Sequence, residues 1–242
     1  MQYHRPLTLD DAVALAARPT AVVLGGGTSV VPTLGSGSWE VVDLQALGLD
    51  GVSRGGDVVT VGAMTSLQDL VDTAGIERIV ADAAELEAPS TLRSAGTIGG
   101  VVGDADRESP LLTVLMAMGA QVEMATLEGH GSVPIDDLVG AGASPEGAII
   151  TAVSFPADGV GAAEWTARTP KDRPIVMAVA HRSRGARVRL ALAGVADRPV
   201  VVEPGTLDGL DPPSDFRGSS GYRLHLAGVL SERVLARIGG PA

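Results

Sequence analysis

Two glycine-rich segments carry the residues of this 242-residue chain best suited to chemistry. They are Leu24-Gly-Gly-Gly-Thr-Ser-Val-Val-Pro32 and Ser94-Ala-Gly-Thr-Ile-Gly-Gly-Val-Val-Gly103. Glycine has no Cβ, so its amide can approach an anion closely and its backbone can turn to φ > 0. Successive N–H groups in such turns make concave anion sites. Two of these segments, about 70 residues apart, point to one extended, phosphate-bearing ligand gripped at two places. A single loop of this kind would read as a tight turn; the pair, one of them containing Gly-Thr-Ile-Gly-Gly, favours the ligand.

Several other chemistries are excluded or weak. The first segment is not a G-x-G-x-x-G fingerprint, because counting from Gly25 the sixth residue is Val30. No G-x-x-x-x-G-K-[ST] sequence exists, which argues against a P-loop nucleotidase. Gly51-Val-Ser-Arg-Gly55 matches G-x-S-x-G formally, but a nucleophile elbow needs a strand before it and a helix after it. Here the chain runs on into a strand at Val58, so the stretch reads as a hairpin turn. His4, His130, His181 and His225 lie too far apart for metal-ligand spacing and read as surface or packed residues. Asp104, Asp106 and Glu108 form an acidic cluster after the second segment, with a solvated turn or helix cap as the plain reading. The chain has no cysteine, which removes disulfides, thiol catalysis and a cysteine-held iron–sulfur cluster. No side chain is therefore assigned as a catalyst or metal ligand.

The elements that must position the two segments can be read from periodicity. Thr8 caps a short helix over about 9–17, and Ala21-Val-Val-Leu24 is a buried strand that delivers the first segment. Strands follow at 40–44 and 58–62, with a turn at Gly55-Gly-Asp57. Ser66 caps a helix, 76–86 is a second, and a third runs from Pro110 to Met118 with proline in its first turn. Strands are expected at 121–125, 132–134 and 148–155. Residues 156–162 read as a linker. Beyond it, strands at 163–167, 176–180, 186–192 and 199–203 form a small antiparallel sheet, and an amphipathic helix over 224–238 closes the chain.

Composition sets the remaining bounds. Apolar residues make up 45%, ordinary for a globular protein, but aromatics only 2%, so the core must be built of Ala, Val, Leu and Ile. A formal charge of −11 argues against nucleic-acid binding, which needs clustered cations. No apolar run approaches the roughly 20 residues of a membrane span, and the N-terminus reaches acidic residues before any apolar region. A soluble, cytoplasmic protein is expected.

The ordered series of motifs resembles the FAD-binding medium subunit of the molybdenum hydroxylase family, the relatives of carbon monoxide dehydrogenase and xanthine dehydrogenase. Leu24 to Pro32 is similar to that family's A-G-G-T-[DS]-L-L-P, and Gly96 to Gly100 to its G-T-I-G-G-N. Asp104-Ala-Asp106 with Ser109 follows its N-A-D-P-x-S-D-L, Val61 to Thr65 its I-G-A-x-T, and Tyr222 to Ala227 its closing Y-R-x-x-L-A. The resemblance covers nearly the whole chain. It implies an α+β protein: a two-lobed α/β flavin-binding fold (PCMH-type), with lobes at about 1–52 and 53–155, and a small C-terminal α+β domain over 163–242.

The resemblance further implies that FAD lies between the lobes. Gly25, Gly26, Gly27, Thr28 and Ser29 would bind its diphosphate through backbone amides. Gly96, Thr97, Ile98, Gly99 and Gly100 would cradle the other side, with Asp106 as a further contact. Molybdenum cofactor and iron–sulfur clusters would reside only on a large and a small partner subunit, and electrons would pass from those clusters through the flavin to an external acceptor. Three positions depart from the pattern: Val101 for asparagine, Pro110 for aspartate and Arg107 for proline. Losing two hydrogen bonds of about 1–1.5 kcal/mol each weakens affinity by roughly one to two decades. That loss motivates an alternative, a flavin-less assembly subunit of the same ancestry. Trp165 is the expected cover for the isoalloxazine face.

Overall fold

The first glycine segment is delivered by a parallel sheet and the second by the start of a helix. In the computed structural model, residues 1–35, 37–142, 144–169 and 172–239 are described; Lys171, the one lysine of the sequence, lies outside them. The N-terminal layer consists of β1 (Gln2–His4), α1 (Leu9–Ala16), β2 (Ala21–Leu24), α2 (Val30–Thr33) and β3 (Glu40–Asp43). Its three strands pair in the order β1-β3-β2, both pairings parallel. Thr8 accepts the Asp11 amide as the cap of α1. Ala12, Val13 and Ala16 of that helix pack with Val42 and Leu44 of the sheet region and with Ala125 and Ile149 of the next layer.

The middle layer contains β4 (Val52–Gly55), β5 (Val58–Gly62), α3 (Leu67–Asp72), α4 (Arg78–Glu87), α5 (Ser90–Arg93), α6 (Ile98–Asp104) and α7 (Pro110–Met118). It continues through β6 (Gln121–Thr126), β7 (Gly129–Pro134), α8 (Ile135–Ala141) and β8 (Ile149–Pro156). Its five strands run antiparallel in the order β4-β5-β8-β6-β7. Ser53 lies on β4 opposite Thr60, so no nucleophile elbow forms. The formal match is an edge strand rather than the expected turn; the turn falls at Gly56 and Asp57.

The last layer is an antiparallel sheet of β9 (Gly159–Thr166), β10 (Val176–Ser183), β11 (Arg189–Ala193) and β12 (Val200–Val202), with α9 (Ser220–Arg237) against it. The expected linker is not there. β8 passes to β9 through Ala157 and Asp158 alone, and residues 159–162 belong to β9. The glycines of that stretch suggested a flexible segment, but Gly159 and Gly161 are where the strand passes the His181 ring, which a Cβ would meet.

β10 is buried on both faces, and its period-two alternation divides two cores. Val176, Ala178 and Ala180 face Leu230 and Val234 of α9. Met177 and Val179 join the main core around α7, every residue of which is buried. The C-terminal sheet is thus fused to the middle layer by apolar packing.

Arg223, fully buried in α9, ties that helix to the C-terminal sheet. Its guanidinium donates to the carbonyls of Ile175 (2.7 Å) and Gly194 (3.2 Å) and to Asp215 (2.8 Å). A buried charge of this kind is held by its partners, and removing one side leaves the rest unpaired. Arg223→Met is expected to destabilise the protein by about 3 kcal/mol, measured as a lower urea midpoint with an unchanged m-value.

Candidate functional site

The strand β2 ends at Leu24, and the chain then turns through Gly25 to Ser29 before entering α2. Gly27 takes φ 73°, a conformation open to glycine. Among the described residues, the backbone amides of Gly25, Gly26, Gly27, Thr28 and Ser29 donate no hydrogen bond to another protein group. Five successive unengaged donors are the feature an anion needs.

The second segment lies directly against the first. A Cβ on Gly26 would collide with the carbonyl of Ala95, and one on Gly25 would come within 3.0 Å of the Thr97 hydroxyl. A Cβ on Gly99 would meet that of Ala63 at 2.8 Å. Gly26 is therefore required by close approach of backbone to backbone, Gly99 by the approach of Ala63, and Gly25 by the nearby Thr97 hydroxyl.

The second segment corrects one expectation. Its amides are not a second row of free donors. Gly96 donates to Leu92, Ile98 to Thr65 and Gly99 to Ala63, and the Gly100 amide is accepted by the Thr97 hydroxyl. Thr97 is the N-cap of α6, and the cap consumes the donor. Ile98 does not face the site at all; its side chain is fully buried in the main core. The apolar residue that follows an N-cap turns inward to anchor the helix, which the motif alone does not reveal.

Together the two segments border a cleft of about 550 Å³. Gly25 to Ser29 lie on one wall, and Gly96, Thr97, Gly99 and Gly100 on another. Met64, Leu67, Leu92 and Ile150 supply apolar surface. Val101 is on the wall, so the departure at this position reaches the site; Pro110 is buried as the first residue of α7 and does not border it. Trp165 is also absent from the cleft: it sits on β9, 42% exposed, paired with Met177. Among the described residues no aromatic side chain lines the cleft.

A charged wall completes it. Glu87, Asp104, Asp106 and Arg173 all border the cleft. Arg173 donates to Glu87 (2.6 Å) and Asp106 (2.8 Å), and Glu87 also accepts from the Ser109 hydroxyl and the Leu111 amide. Burial pushes Asp106 upward, but the Glu108 amide and Arg173 outweigh it and hold the carboxyl below its usual range. Burial raises Asp104, with the Asp106 charge adding to it, against the pull of the Ser29 hydroxyl and Arg173. Between these acids Ala105 takes a left-handed φ of 45°, unique among the described non-glycine residues. A conformation of this kind costs an alanine about 1–2 kcal/mol and sets the two carboxyls on the same cleft. Glu87, Asp104 and Arg173 were not identified as site residues from sequence. Arg173 lies 67 and 86 positions from its two partners, and no local spacing announces that meeting.

A family model described as the FAD-binding domain in molybdopterin dehydrogenase matches residues 1–158. The carbon monoxide dehydrogenase medium chain of Afipia carboxidovorans is 31% identical over 274 residues, covering 97% of this chain and 95% of that one. The chain belongs to this family. The nicotine 6-hydroxylase medium subunit of Paenarthrobacter nicotinovorans is 28% identical, covering 99% of this chain and 97% of that subunit. Among solved structures, a Cu,Mo-CO dehydrogenase in its cyanide-inactivated form matches with a TM-score of 0.88 at 27% identity, over 98% of this chain and 97% of that one. Quinoline 2-oxidoreductase from Pseudomonas putida 86 matches at 0.86 and 26%, over 98% and 96%. The fold is that of the family's FAD-binding medium subunits, and the chain is an oxidoreductase subunit with FAD as its cofactor. Among the described residues no helix is long and apolar enough to cross a membrane.

The residues present fit that cofactor. The unengaged amides of the first segment match a diphosphate, and the cleft is open rather than plugged by side chains. Two tests follow. Gly26→Ala is expected to force the segments apart, costing about 1–3 kcal/mol and abolishing FAD uptake. Gly131→Ala, in open space on β7, leaves both unchanged; calorimetry and flavin content report the contrast. Secondly, a bound diphosphate adds negative charge beside Asp104 and raises its carboxyl further, so binding takes up a proton. FAD affinity therefore rises as pH falls through the raised Asp104 range, by up to about tenfold per pH unit. Of the other carboxyls of this wall, Asp106 is held low by the Glu108 amide and Arg173, whereas burial raises Glu87 against the pull of Arg173, Ser109 and Leu111, so Glu87 contributes in the same direction. Asp104→Asn is expected to tighten binding at neutral pH and to remove the share of the pH dependence that Asp104 carries in flavin-fluorescence titrations.

Proposed function

We propose that this chain is the electron-transfer subunit of a molybdenum hydroxylase complex. In this reading it joins a large molybdenum-binding subunit and a small iron–sulfur subunit in the cytoplasm. Electrons reach it from the small subunit's clusters and leave to an external acceptor. When bound, FAD supplies a site that accepts two electrons and can be reoxidised. The observation that carries the reading is the row of unengaged amides from Gly25 to Ser29 beside an open cleft. Its relatives, a medium chain of a dehydrogenase and a medium subunit of a hydroxylase, support the assembly.

The protein's own residues bind and orient. Gly25, Gly26, Gly27, Thr28 and Ser29 hold the diphosphate by backbone amides. Gly96, Thr97, Gly99 and Gly100 form the opposing wall by shape rather than by donors. Asp106, ionised and tied to Arg173, orders the charged wall. Residues 1–155 would form the flavin-holding unit and 163–242 the smaller one. The absence of cysteine fits a division of labour in which other chains hold the metal clusters.

The test is co-expression with the two partner subunits, followed by absorption spectroscopy. The complex is expected to be yellow. A complex lacking the small subunit is expected to keep its FAD but lose flavin reduction by the substrate of the large subunit. A chain that stays colourless after reconstitution with FAD overturns the reading in favour of an assembly subunit.

A further inference from the structure

We propose that Arg173 is the cation this chain presents to the ring system of its FAD, held edge-on by Glu87 and Asp106. The inference rests on the FAD assignment of the cleft and deepens it. Arg173 is the one cationic side chain bordering the cleft among the described residues, against three carboxyls, those of Glu87, Asp104 and Asp106. Each of its two terminal nitrogens donates one hydrogen bond to a carboxylate, Glu87 at 2.6 Å and Asp106 at 2.8 Å. Its Nε is buried and finds no partner among the described residues. A buried donor left unpaired costs free energy, so the guanidinium is not fully satisfied by the protein's own groups.

The planar geometry of the group adds to the argument. A guanidinium engaged at its edge by carboxylates keeps its faces free, and those faces stack well on aromatic rings. The cleft offers no aromatic side chain to cover such a ring, and Trp165 is occupied elsewhere on β9. Arg173 is thus the planar side chain available for that task. The ion pairs also fix its orientation in advance, because Glu87 accepts two further hydrogen bonds, from Ser109 and Leu111, and is itself immobile. A preorganised group loses less freedom on binding than a mobile surface arginine.

The position has an electrostatic consequence. A cation beside the flavin ring favours its electron-rich reduced form. Arg173 therefore both strengthens binding and raises the potential at which the cofactor accepts electrons. The opposing view is that Arg173 is only a strap joining the β9–β10 connection to α4. A strap would contribute to stability without touching the cofactor's affinity or potential.

The experiment uses the full chain, with its partner subunits where they are needed for FAD retention. Wild type, Arg173→Lys and Arg173→Gln are titrated with FAD and, separately, with ADP; flavin midpoint potentials and thermal unfolding are measured alongside. Arg173→Gln is expected to weaken FAD binding about tenfold or more and to lower the midpoint potential. Arg173→Lys, which keeps the charge and loses the plane, is expected to fall between. A fall in FAD affinity with a shifted potential and unchanged ADP affinity places the contact on the isoalloxazine. An equal fall for ADP with an unchanged potential places the contact on the adenine half and overturns the assignment of Arg173 to the flavin ring. Wild-type affinity and potential in Arg173→Gln overturn it, whether or not the variant is less stable. Wild-type protein that takes up no FAD overturns the cofactor assignment itself, and this inference with it.

Discussion

The close approach of residues 25–26 to residues 95–97 is the constraint on which the rest depends. No side chain larger than hydrogen fits at Gly26 beneath the Ala95 carbonyl. The two segments come from different layers, one from the end of a parallel strand and the other from the start of α6. Their meeting brings the parallel sheet and the antiparallel sheet together around one cleft. Such contact between bare backbones demands that every polar group be paired or left to a ligand. The second segment has the amides of Gly96, Ile98, Gly99 and Gly100 paired with protein groups, through the Thr97 cap and the carbonyls of Ala63, Thr65 and Leu92. The amides of the first segment have no such partners among the described residues, and this asymmetry leaves it the wall of the cleft with unengaged donors.

The asymmetry also bears on what could be read from sequence. The place of Gly25 to Ser29 on the cleft wall was legible because a strand followed by three glycines leaves few alternatives. Gly96 to Gly100 were legible as part of the cleft but not in their role. A Thr-x-x-Gly cap and an open anion loop look alike in sequence; only tertiary pairing separates them. Ile98 was misread for the same reason. The helices α1 and α3 announced themselves through caps at Thr8 and Ser66, each of which accepts the expected amide, and α7 through Pro110 in its first turn; the Ser109 cap of α7 emerged only in the structure. β1 did not, since three residues with one parallel neighbour carry no local period. The false linker at 156–162 arose because its glycines serve close packing against His181 rather than flexibility.

The charged wall was the least legible part. An acidic cluster at 104–108 reads as solvated turn residues until its partners are known. Those partners arrive from α4 and from the connection before β10, across long sequence separations. The arrangement has a cost that sequence patterns do not show: Ala105 holds a conformation better suited to glycine, and Glu87 is buried deeply enough for its carboxyl to be pushed above the ordinary range despite Arg173 and two further donors. Backbone strain and buried charge gathered at one place suggest that the constraint is functional rather than accidental.

If the proposed site holds a dianionic diphosphate, this acidic protein must overcome its own charge there. The first segment does so with neutral dipoles, which add no net charge and need no side chain that could swing away. Arg173 does so with a full charge, but one supplied by the C-terminal part of the chain. The cleft is therefore complete only when the C-terminal sheet is seated on α7. This gives a physical reason for the two-residue connection between β8 and β9, for the two-faced burial of β10, and for the buried Arg223 that ties α9 to the loops at Ile175 and Gly194. A flexible linker would let the cation wander; fused packing holds the Arg173-bearing connection within reach of Glu87 and Asp106. The stability of the C-terminal layer and the affinity of the cofactor site are on this view one coupled quantity, transmitted through the pairing of Arg173 with carboxylates of the middle layer.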